Sequence, residues 1–213
     1  MGTGRTLKTK DLVNVGIYSA LYFICMGIAE GLTTLVTGLL LPGFTSIFVP
    51  GIVGLLAGPV YMLLCQKVPR FGAITIMGIL MGLFFLISGH FALAFIPYAL
   101  CGLLADAIQT FAGKPQEPGA DRRWVRVVSY VIFTFGSTGP VLPLWFMKNA
   151  YVASLVKRGK SQDYINTLFS HITAPTLVAC VAITLVGALI GAYWGDKLVK
   201  RYFAPKTAAI VGN

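Results

Sequence analysis

Charged side chains are scarce in this chain, at 11% of residues, and acidic ones are scarcer: seven Asp and Glu stand against seventeen Lys and Arg. A water-soluble domain carries roughly 25% charged residues, so a fold bathed in water on every side is excluded. The alternation of apolar and polar residues that marks barrel strands is also missing, which excludes a lipid-embedded barrel. No G-x-x-x-x-G-K-[ST] loop is present to cradle a nucleotide's phosphates, and no H-E-x-x-H, G-x-S-x-G or paired-glutamate motif is present to do hydrolytic work. The four cysteines, Cys25, Cys65, Cys101 and Cys180, sit singly in apolar runs without CxxC spacing. They read as small core residues, with neither metal nor disulfide expected.

What is present is oil, 56% of the residues. A helix needs about 20 apolar residues to cross about 30 Å of hydrocarbon. Windows of this kind recur at about 12–35, 47–65, 73–88, 91–112, 125–147 and 173–194. Backbone polar groups in lipid must be satisfied within the segment. The expected fold is therefore all-α: a polytopic six-helix bundle forming one integral membrane domain over residues 1–213. The first window is too long for a cleaved leader and contains Glu30, so it reads as a permanent helix. Pro69, flanked by Lys67 and Arg70, closes a short turn between the second and third windows.

Cations divide unevenly between alternate connections. Thirteen fall in the amino terminus, the turn with Lys67 and Arg70, the segment with Lys114, Arg122, Arg123 and Arg126, and the tail. Four (Lys148, Lys157, Arg158 and Lys160) fall on the other side. This bias predicts that both termini are cytoplasmic. It also accounts for the net charge of +10 through anionic lipid headgroups, without nucleic acid as a partner.

Polar residues within the windows mark where chemistry is expected, because a carboxylate at mid-bilayer costs about 2.5–3.5 kcal/mol on insertion scales. Asp106 reads as an interfacial or helix-packing residue compensated by Lys114 and the arginines beyond it. Glu30, in the outer half of the first helix, reads either as paired with a polar neighbour or as a ligand acceptor in an outward pocket. At the same level lie His90 in the turn after the third helix and Tyr98 two turns below it. Trp145, Lys148, Asn149 and Tyr151 are expected to cap the fifth helix, and His171 to open the sixth across a loop from Lys148 to Ile172. Glu30, His90, Tyr98, Trp145, Asn149, Tyr151 and His171 form the candidate substrate-binding set. Its aromatics would stack on a planar ring and its polar groups would fix the edges. Lys148 would meet an anionic group or a headgroup. Glycines recur at Gly51, Gly54 and Gly58 and at Gly187, Gly191 and Gly195, spacings that let helix backbones approach closely. Gly16 and Ala20 form a similar pair on the first helix, suited to an internal contact or to a partner.

Three stretches, LKTKDLVNVGIYSALYF, PGIVGLLAGPVYMLLCQKVPRFGAITIMGILMGL and GALIGAYWGDKLVKRYFAPKTAAIV, resemble the Trep_Strep family of bacterial integral membrane proteins. That family is grouped with the substrate-binding S components of energy-coupling factor transporters. The resemblance implies a multi-pass protein of the bacterial plasma membrane that captures a vitamin-like small molecule at the outer face; the candidate side chains suit a flat compound such as pyridoxine or hydroxymethylpyrimidine, and the Lys148–Ile172 loop could also frame a larger cavity for cobalamin or haem. It implies docking through the first helix onto a membrane T subunit that carries two cytoplasmic ATPases. The chain itself would be no enzyme, and ATP hydrolysis would lie in its partners. The family's docking pattern, Ala-x-x-x-Ala, falls here on Gly16 and Ala20. The alternatives are a stand-alone secondary carrier or channel, against which no inverted repeat is evident, and an intramembrane hydrolase.

Overall fold

The computed structural model describes residues 6–112 and 123–203, and every regular element among them is helical. Arg5, Lys114, Arg122 and Lys206, which entered the charge count, lie outside the described residues. The helices are α1 (Thr9–Leu40), α2 (Thr45–Leu56), α3 (Gly58–Lys67), α4 (Ala73–Ile87), α5 (Phe95–Ala107), α6 (Arg123–Phe135), α7 (Pro143–Phe146), α8 (Lys148–Lys157), α9 (Gln162–Ser170) and α10 (Ala174–Phe203).

Among the described residues, three helical stretches are long and apolar enough to cross a membrane: α1, α5 with its π-helical extension (Phe95–Ala112), and α10. The pair α2 and α3, bent by 44°, makes a fourth if counted as one span. The other two expected crossings take a different form. At 15 residues, α4 reaches about 22 Å, short of the hydrocarbon thickness. The 125–147 window is no single rod: α6 stops at Phe135, a 3-10 turn covers Gly136–Thr138, and α7 is four residues long. Gly136, Gly139, Pro140 and Pro143 cluster there, and hydropathy alone does not register such breakers.

The bundle is apolar on its outer surface as well as in its core. On α1 the buried stripe Val15, Ser19, Tyr22, Met26, Ala29, Thr33 and Thr37 includes three hydroxyl residues besides the tyrosine. The exposed face carries Leu12, Ile17, Leu21, Ile24, Ile28, Leu32 and Leu35. Buried threonines bond back along their own helices, Thr33 to the Ala29 carbonyl at 2.6 Å and Thr37 to that of Thr33 at 2.7 Å. No hydroxyl need then face lipid unpaired.

The break between α2 and α3 follows from Pro59. Its ring nitrogen cannot donate to the carbonyl four residues back, that of Leu55. Trp194 of α10 supplies the missing donor, its indole Nε1 reaching the Leu55 carbonyl at 2.8 Å. One residue earlier, the Gly54 carbonyl accepts from the Tyr130 hydroxyl of α6 at 2.7 Å. Two aromatic side chains from two other helices thus lock the kink.

The same seam brings the two glycine series together. A Cβ on Gly187 would collide with the Gly51 carbonyl, on Gly191 with the Gly54 carbonyl, and on Gly195 with the Gly58 backbone. Close backbone approach of this kind supplies the van der Waals contact that drives helix association in lipid. The small residues of α1 behave oppositely: a Cβ on Gly16, Gly27, Gly31 or Gly38 would meet nothing within 4 Å, and Ala20 is exposed. They face out of the bundle.

Charge gathers at the amino-terminal end. Asp11 pairs with Arg70 at 3.3 Å, and Arg70 also donates to the Thr6 carbonyl at 2.7 Å. Asp196 on α10 meets Arg126 at 2.8 Å, Lys200 at 2.9 Å and Arg123 at 3.5 Å. Asp106 caps α4, accepting from the Gly72 and Thr75 amides at 2.7 and 3.0 Å and from the Thr75 hydroxyl at 2.8 Å; Lys114 and Arg122, two of its expected compensating cations, lie outside the described residues. An acceptor at a helix amino terminus satisfies orphan amides and favours negative charge.

Gly191→Leu should collapse the α2–α3–α10 seam, because the added side chain meets backbone that cannot move aside, so the folded fraction in fluorescence-detected size exclusion should fall sharply. Gly27→Leu, equally bulky but facing outward, should elute like the parent chain.

Candidate functional site

The segment from Lys148 to Ile172, expected as a loop, is a helical hairpin of α8 and α9. Ser161 caps α9 by accepting from the Tyr164 amide at 3.2 Å. Gly159 makes the intervening turn with φ of +74°, a left-handed conformation that costs glycine nothing. Leu155, Ile165 and Leu168 of the hairpin pack with Ile47, Leu144 and Cys180 in an apolar cluster separate from the main core. The hairpin therefore sits as a cap on the end of the bundle opposite Asp11 and Asp196.

Beside the cap lies a cavity of about 370 Å³, lined by Leu144, Trp145, Phe146, Lys148, Phe169, Ile172, Thr173, Ala174 and Leu177. This volume is at the small end of the range for ligand pockets. The Trp145 indole is anchored, its Nε1 donating to the Thr173 carbonyl at 2.8 Å. The Lys148 ammonium lies over the Phe169 ring at 5.1 Å, a cation–π distance.

The expected set of seven residues does not converge on one place. Trp145 lines the cavity, and Lys148 beside it does too. Tyr151 is half-buried between Phe91, at 5.9 Å between ring centres, and Phe169, at 6.4 Å. The Phe169 ring thus links Tyr151 to the cavity. Burial pushes the Tyr151 hydroxyl up from its ordinary pKa; Tyr164 and Glu30 push the same way, and Arg158 opposes them. Glu30, though exposed on α1, is thus within electrostatic reach of the cap. His90 receives or donates a hydrogen bond with Ser88 at 2.8 Å and stacks on Phe85 at 5.0 Å. Burial, then the nearby Arg158, pulls its pKa below 6.5, so the ring is neutral at pH 7.

Tyr98 is not in the cavity. It is fully buried, donates to Met26 Sδ at 3.5 Å, and packs on Phe85 and Phe133 at 5.6 Å each. Its apolar surroundings make it a core residue that connects the His90 end to the bundle centre through Phe85. His171 follows α9 and does not open α10; its ring lies 4.3 Å from that of Phe44, with Gly43 against it. Asn149 is exposed on the first turn of α8.

Sequence reasoning missed the aromatic centre. Tyr22, Tyr61, Tyr98 and Tyr130 are fully buried around Phe133. Tyr61 bonds the Ser129 hydroxyl, which donates to the Ala105 carbonyl at 2.8 Å. Tyr130 and Phe133, three residues apart, carried a signal of one shared helix face. Arg158 and Phe169 were also missed, because a segment read as loop has no face to assign.

A family model described as a hypothetical bacterial integral membrane protein (Trep_Strep) matches residues 9–204, nearly the whole chain, and the chain belongs to that family. No curated protein and no solved structure matches it.

His90→Gln tests the charge state at the cap. A histidine whose folded pKa lies below its unfolded value binds protons more readily when unfolded, so stability falls as pH drops below about 6.5. The parent chain should lose melting temperature between pH 7 and pH 5, and the variant, similar at pH 7, should lose less.

Proposed function

We propose that this Trep_Strep chain is a small-molecule capture subunit of the S-component type, working with a membrane T subunit and two ATPases that supply the energy. The observation that carries this reading is the outward face of α1. Gly16, Ala20, Gly27 and Gly31 lie on one side of the helix, exposed, with open space beyond the glycines. A small-residue face left unused inside a bundle is a surface on which another helix can pack closely. The paired glycines of the α2–α3–α10 seam fill the internal role, so α1 is left for a partner.

An open cavity at one end supports the capture half of the reading. Trp145, Lys148 and Phe169 give it aromatic walls and one cation, and Tyr151 of the same hairpin packs on Phe169 behind it. In this reading the cavity faces outward, both termini are cytoplasmic, and six passes include two short ones, α4 and the broken α6–α7 run. Ligand binding there would precede movement of the whole bundle against the T subunit. The ligand class is a vitamin-like planar molecule, which Trp145 and the cap aromatics can stack upon. The membrane is the bacterial plasma membrane.

A stand-alone carrier is the second reading. It is favoured by Ser19 Oγ, which is buried without a hydrogen-bond partner among the described residues and so marks a polar spot along the bundle centre.

Gly16→Leu and Ala20→Leu should abolish co-purification with a T subunit and its ATPases while leaving the isolated chain folded. Uptake by the parent chain alone in liposomes, or intact complexes in both variants, would reject the docking role of α1.

A further inference from the structure

The cap carries more positive charge than its position calls for. Among the described residues at that end, Lys148, Lys157, Arg158 and Lys160 face only Glu30 and Asp163 as carboxylates. In the proposed orientation this is the face where the positive-inside bias disfavours cations. Lys160 lies over the Tyr164 ring at 5.0 Å and Lys148 over Phe169 at 5.1 Å, so aromatic faces, not carboxylates, hold two of these ammonium groups.

Lys148 differs from the others in lining the cavity. It is also the first residue of α8, a ten-residue helix whose amino terminus has no side-chain cap. The positive end of that helix dipole adds to the ammonium in favouring an anion. Around this one charged group most of the wall is apolar, with Leu144, Phe146, Phe169 and Leu177, and Thr173 adds a polar edge. The Trp145 indole N–H is already committed to the Thr173 carbonyl, which leaves Lys148 as the strongest donor for a guest. Apolar walls with a single cation complement a molecule built the same way: an apolar or planar body with one anionic end.

We propose that the cavity beside Trp145 takes a ligand bearing one anionic oxygen group, carboxylate or phosphate, on a small apolar or planar body, and that Lys148 selects for that group. This names the ligand class of the capture site and rests on that reading. The anion can come from a free small molecule or from a lipid headgroup; the cavity chemistry is the same for both.

The test uses the full chain in phosphatidylcholine nanodiscs, with nicotinate against nicotinamide and benzyl phosphate against benzyl alcohol as probes of matched size and different charge. At least one anionic probe should bind about tenfold more tightly than its neutral counterpart, the ratio expected for a charge-assisted hydrogen bond. Lys148→Gln should erase that preference and Lys148→Arg should restore most of it, with circular dichroism showing both variants folded. If added phosphatidylglycerol displaces the anionic probe, or alone stabilises the parent chain but not Lys148→Gln, the anion is a lipid headgroup. Equal binding of charged and neutral probes, an unchanged preference in Lys148→Gln, or binding of neither any probe nor phosphatidylglycerol would overturn the proposal. A neutral molecule retained by the purified chain and by Lys148→Gln would also overturn it, while leaving capture itself standing.

Discussion

Only glycine hydrogens separate α10 from the kinked rod of α2 and α3, and the rest of the architecture depends on that contact. Lipid tails are as apolar as leucine, so burying oil gives these helices no net reason to associate. Backbone contact gives one, and it requires Gly51, Gly54, Gly58, Gly187, Gly191 and Gly195 to meet in register. The seam in turn fixes the Pro59 break, because only at that separation can Trp194 reach the Leu55 carbonyl. Tyr130 then reaches the Gly54 carbonyl and brings the aromatic centre into place around Phe133.

The two ends of the molecule consequently differ in kind. At the amino-terminal end, Asp11, Asp106 and Asp196 are each held by cations or amides, which ties helix ends together and leaves little space. At the opposite end the breaks after Phe135 and Phe146 turn the chain into a separate hairpin with its own apolar cluster. That cluster also contains Ile47 of α2 and Cys180 of α10, so the cap packs directly on the helices of the glycine seam, and the cavity lies at that junction. The contrast between the two ends follows from where glycine and proline interrupt the helices.

Much of this was legible in the sequence. The all-helical class and the apolar windows followed from composition and run length, because lipid permits few alternatives, and the family followed from the resemblance of three stretches of sequence. The glycine series were recognisable, but their pairing was not, since spacing identifies a close-packing face without naming its partner. Breaks inside windows were missed at Pro59 and again at Gly136–Pro143, where apolar side chains keep hydropathy high while the backbone turns. At the site, the level of Trp145, Tyr151 and His90 was readable from their places near window ends. Tyr98 was misplaced into the cavity because depth along a helix was known and facing was not. The α8–α9 hairpin was read as loop because its mixed polarity resembles a solvated connection when the cluster it covers is unseen.

Native mass spectrometry of the chain purified without partner subunits tests the central claim most directly. The account predicts a species heavier than the chain by one small molecule, released when the cap is unfolded by acid. A chain carrying no such molecule, together with substrate accumulation in liposomes that contain this protein alone, would contradict it.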